Sequence, residues 1–84
     1  MEIINTANID NIILSVDQTF NISENKFITI KEMFIIDNEI YISYINERIP
    51  YVNYLENIGI EYKHYRVIML AKNFILLNSN LFNQ

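Results

Sequence analysis

Phe27-Ile28-Thr29-Ile30-Lys31-Glu32-Met33-Phe34-Ile35-Ile36, then Asp37-Asn38, then Ile40-Tyr41-Ile42-Ser43-Tyr44-Ile45, is the stretch that decides how this chain folds. Both runs are rich in β-branched and aromatic residues, which fit the pleated, half-buried surface of a sheet. Asp and Asn tolerate left-handed backbone, so Asp37-Asn38 predicts a tight hairpin turn. The second run alternates cleanly. The first is interrupted at Lys31-Glu32, where a bulge is expected and register is open by one residue. Apolar groups on both faces place these strands centrally, or under cover on both sides.

The rest of the chain is segmented from this hairpin outwards. With one Gly and one Pro, turns fall to Asn and Asp. Ser23-Glu24-Asn25-Lys26 precedes the first run, and Lys72-Asn73 reads as a later turn. Pro50 opens and Gly59 closes a stretch in which Tyr51, Leu55 and Ile58 share one side, which predicts a short helix near residues 50–58. Ile60 to Leu70 reads as a strand, with Phe74 to Leu77 as its hairpin partner. A helix over 65–77 competes, because Tyr65, Ile68, Met69, Ile75 and Leu76 fit a helical stripe. Near the N-terminus Ile9, Ile12, Ile13, Val16 and Phe20 fit a helix capped by Asn8. The alternation Ile12, Leu14, Val16 and the poor helix propensity of Ile, Val and Asn favour strand there. The expectation is a single α+β domain over residues 1–84. It has a small antiparallel sheet of about four to five strands and one short helix.

Composition bounds the function. At 84 residues, with 51% hydrophobic residues, the chain has material for a core. Folding at this length hides only about 60–65% of the extended chain's surface. Without Cys, neither a disulfide framework nor a thiolate metal site is open to it. The start, Met1-Glu2-Ile3-Ile4-Asn5-Thr6, lacks a basic region and a long apolar core, so a cytoplasmic protein is expected. The longest apolar run, Val67 to Ala71, is far short of the ~20 residues of a membrane span. A net charge of −4 argues against a duplex nucleic-acid binder.

Catalytic groups do not converge in the sequence. His64 stands alone, and on a strand Glu61 points to the opposite face. Glu32, Asp37 and Glu39 surround one hairpin without the dense spacing of a metal-binding loop. A single Gly rules out a Gly-rich phosphate loop. No enzyme, metal or cofactor is expected. Tyr62-Lys63-His64-Tyr65-Arg66 has the composition of a single-strand stacking platform, but on a strand its two tyrosines diverge.

Two features remain. All six tyrosines lie between residues 41 and 65, and Tyr gives large contact area at low entropy cost. The acids are also unevenly spread. Residues 1–42 hold seven acids and two bases, while 43–84 hold three and four. With eighteen Ile and thirteen Asn, AT-rich coding would raise Lys too, yet there are only four. That points to selection for an acidic surface and hence a basic partner, although acidity also serves solubility.

The function expected is protein binding. The chain reads as a small acidic inhibitor encoded by a phage or mobile element. It would block a basic site on a nucleic-acid-handling defence enzyme, in the manner of an anti-CRISPR protein. A toxin-neutralising immunity protein would look the same. So would an assembly subunit that oligomerises through the uncharged stretch from Phe74 to Phe82, as a homodimer for instance. The expected contact surface comprises Glu32, Asp37, Glu39, Tyr41, Tyr44, Tyr51 and Tyr54.

Overall fold

The computed structural model of the chain describes residues 1–48 and 66–82. Its strands are β1 (Glu2–Ile4), β2 (Thr6–Ile9), β3 (Ile12–Ser15), β4 (Thr19–Ser23), β5 (Lys26–Ile36), β6 (Glu39–Arg48) and β7 (Arg66–Leu70). A helix, α1 (Ala71–Leu77), and a 3-10 turn at Ser79–Leu81 follow. Five strands make one antiparallel sheet in the order β1-β5-β6-β7, with β4 also paired to β5; β2 and β3 make a separate hairpin. This is the small α+β fold expected from the sequence.

β5 and β6 form the spine, joined by the turn at Asp37-Asn38, where φ is 50° and 63°. Positive φ at both central residues gives the turn whose twist matches paired strands. The ladder shifts between Ile30 and Glu32, which leaves Lys31 as the extra residue of a bulge. The bulge has a packing consequence. Ile30 and Met33, three residues apart, would face opposite ways on a regular strand. Here both are fully buried in one core.

β1 and β4 lie end to end along β5: Ile4 is opposite Met33, and Thr19 is opposite Thr29. Between them the chain leaves the sheet as the β2–β3 hairpin. The Val16 amide donates to the Asn5 carbonyl at 2.9 Å and closes the base of this excursion. The Asp17 amide then rejoins β5 by donating to the Ile30 carbonyl at 2.8 Å.

The hairpin and α1 cover one face of the sheet. Leu14 of the hairpin, and Ala71 and Phe74 of α1, close over Ile28, Ile30, Met33, Ile42 and Tyr44. Phe74 is the hub. Its ring lies 5.2 Å from Tyr44, 5.9 Å from Phe20 and 6.2 Å from Phe82, all in tilted or edge-on contacts. These are the geometries that aromatic quadrupoles favour.

Three expectations are corrected. Lys72-Asn73 is not a turn and Phe74 to Leu77 is not a strand, because Ala71–Leu77 is helical. Phe74 is then buried, so this stretch offers no edge strand for dimerisation. Tyr44 is 7% exposed and belongs to the core, so it leaves the expected contact surface. Tyr41 and Tyr44 are three apart on a regular strand and must point to opposite faces. At the N-terminus strand prevails over helix, as β3 and β4 show. The helix expected at residues 50–58, Tyr51, Tyr54, His64 and the first part of the strand expected from Ile60 lie outside the described residues.

Candidate protein-binding surface

The face of the sheet opposite α1 carries Glu32 and Tyr41. Register aligns Ile3, Phe34, Tyr41 and Leu70 in one row across β1, β5, β6 and β7. Phe34 and Tyr41 stack, with ring centroids 5.8 Å apart and planes 7° from parallel. The next row is Glu32, Ser43 and Ile68. Ile3 and Ile68 are both more than half exposed, whereas Phe34, Ser43 and Ile45 on the same face are buried.

Glu32 does not act as a free carboxylate here. Arg66, one strand beyond β6, makes an ion pair with it over the intervening strand. Both side chains remain about half exposed. The pair leaves little net charge at the centre of the face.

Free acidity concentrates at one end of the molecule. Asp10-Asn11 is a second turn of the Asp37-Asn38 kind, with φ of 50° and 70°. The Asn8 side-chain carbonyl accepts a hydrogen bond from the Asn11 amide at 2.9 Å and fixes that turn. The two turns meet the start of α1. Asp10, Asn38, Glu39 and Lys72 line a shallow pocket of about 300 Å³ between them. Lys72 Nζ lies 3.8 Å from Glu39 Oε2, a loose and exposed pair. Asp10 and Asp37 have no ion pair among the described residues, and both are exposed.

Of the expected residues, the structure therefore brings Asp37, Glu39 and Tyr41 together at one end of the β5–β6 hairpin. Glu32 lies further along the same face. Asp10 was missed by the sequence reading, although a signal existed. Asp10-Asn11 repeats the dipeptide Asp37-Asn38 after an isoleucine, and its left-handed turn could have been inferred the same way.

Among the described residues no group of three or more His, Cys, Asp or Glu side chains is placed to hold a metal ion. No described helix is long and apolar enough to cross a membrane. No family model, curated protein or solved structure matches the chain.

Proposed function

We propose that the chain is a small acidic inhibitor that binds another protein, with its two Asp-Asn turns and Glu39 occupying a basic site. In this reading a phage or mobile element encodes it, and the target is a nucleic-acid-handling defence enzyme in the host cytoplasm. The observation that supports it is the convergence of Asp10, Asp37 and Glu39 around one end of the sheet. Carboxylates on rigid turns present charge at fixed spacing, as phosphates along a backbone do. They raise the encounter rate with a positive cleft. In the row beside them the exposed Ile3 supplies apolar area for affinity, and Tyr41 is held against the buried Phe34.

Capture from a bacterial lysate tests the proposal. The partner retained by the wild-type chain should be released by a single-stranded oligonucleotide as well as by salt. The triple variant Asp10→Lys, Asp37→Lys, Glu39→Lys should retain nothing that the oligonucleotide releases. A partner held equally by the triple variant would remove the acidic turns from the interface.

A further inference from the structure

The two edges of the sheet are built differently. On the β1/β4 side the edge is broken by the β2–β3 excursion and disturbed by a shift of register between Asn21 and Ser23. Short, irregular edges of this kind resist pairing with another chain. β7 has none of these protections. Arg66-Val67-Ile68-Met69-Leu70 is regular, pairs with β6 over its whole length, and contains no Lys, Pro or Gly. Its one charge, on Arg66, is engaged by Glu32. Among the described residues nothing pairs with its other side.

Apolar side chains flank this edge, unpaired among the described residues, from both faces. Ile68, on the face opposite α1, is 62% exposed. Leu77, on α1, is 72% exposed. Lys72, Ile75 and Leu76 line a hollow with Ile9 and Asp10, so that side of α1 faces the β2–β3 hairpin. Leu77 follows Ile75 by two residues, about 200° around the helix. It therefore projects from the opposite flank, on the side where β7 is the edge.

We propose that β7 pairs antiparallel with β7 of a second copy, about a two-fold axis through Ile68, so that two sheets become one. The occupant follows from self-complementarity. In this register Ile68 meets its own copy, Val67 meets Met69, and Arg66 meets Leu70. The two Arg66 residues stand at opposite ends of the ladder, about 13 Å apart along the strand, so like charges do not oppose. The acidic ends favour the same arrangement. Leu70 is aligned with Tyr41, near the acidic turns. Antiparallel pairing sends the two acidic ends in opposite directions, whereas parallel pairing would crowd them together. An isologous contact also closes on itself and leaves no further open edge at β7. The dimer stands apart from partner binding, because the Asp10 and Asp37 turns stay open at both of its ends.

Charge swapping at the axis tests the proposal. The wild-type chain should sediment as a concentration-dependent dimer. Ile68→Lys and Ile68→Glu should each be monomeric, since the substitution sets like charges face to face. An equimolar mixture of the two should sediment as a dimer again. Far-UV circular dichroism of each variant verifies folding. Leu77→Lys, which leaves β7 unchanged, should weaken the dimer about tenfold or more, and it keeps the test open if a position-68 variant fails to fold. A wild-type chain that stays monomeric at every concentration overturns the proposal. So does a dimer that survives both Ile68 substitutions, or a mixture of folded variants that stays monomeric.

Discussion

The Arg66 guanidinium on β7 reaches diagonally across β6 to the Glu32 carboxylate on β5, and Ser43 of β6 lies directly opposite Glu32. Ser43 is 2% exposed, and its hydroxyl has no hydrogen-bond partner among the described residues. A buried hydroxyl without a partner costs about 1–3 kcal/mol of desolvation. Ser43→Ala should therefore match or exceed wild-type stability in urea unfolding, by up to about 1 kcal/mol. Glu32→Gln should cost under about 1 kcal/mol, because half-exposed ion pairs contribute little. A large loss in Ser43→Ala would mean that the hydroxyl is bonded after all.

Phe74 should dominate stability. It is fully buried and touches Phe20, Tyr44 and Phe82. Phe74→Ala should cost about 3–5 kcal/mol, a large share of the total available to so small a chain. Leu77→Ala, four-fifths of a turn further on and exposed, should stay within about 0.5 kcal/mol in dilute solution. Denaturant unfolding followed by circular dichroism measures both.

Tyr44 gives the fold an alkaline limit. Burial raises its phenol pKa above the ordinary value near 10. The unfolded chain then loses this proton at a lower pH than the folded chain does. The contribution to stability is complete below about pH 10 and is lost as pH rises through the raised folded value. Tyr44→Phe should unfold less steeply with rising pH than the wild type, while the two respond alike near neutrality. Equal alkaline slopes would show that Tyr44 ionises as freely in the fold as outside it.

Much of the fold was legible because local and tertiary preferences agree over residues 26–48. Asp37-Asn38 favours the left-handed turn, and β-branched runs on both sides have only a sheet to enter. Even the Lys31 bulge shows as a break in the pattern. α1 was ambiguous for the opposite reason. It has no side-chain cap, no acid in its first turn and no base in its last. The helical stripe read over residues 65–77 was its one local mark, and it competed evenly with a strand pattern. α1 is helical because Ala71 and Phe74, one turn apart, both reach the core. The Asn8 signal was real but ambiguous: its side chain accepts from an amide three residues on, as a helix cap does, and here it serves a hairpin turn. The site was half legible. The acids of one turn were found, whereas their convergence with Asp10 depends on how the β2–β3 excursion folds back.

Tyr41 should serve both the fold and the partner. Tyr41→Phe keeps the stack on Phe34 and should keep stability. Tyr41→Ala should lose about 0.5–1.5 kcal/mol of stacking beyond its area term. Against a captured partner it should also speed dissociation, by an amount worth roughly 1–3 kcal/mol if the ring is a hot spot. Kinetic binding of both variants separates the roles. A Tyr41→Ala chain that is destabilised yet dissociates at the wild-type rate would confine Tyr41 to the fold.

The most direct test of the account is the association rate with the captured partner, measured at low and high salt. Reversing Asp10, Asp37 and Glu39 together should slow association strongly at low salt and weakly at high salt. Reversing Glu32 alone should do much less, because Arg66 already offsets its charge. An association rate unchanged by the triple reversal at both salts would contradict the account and leave the acidic turns with solubility as their only role.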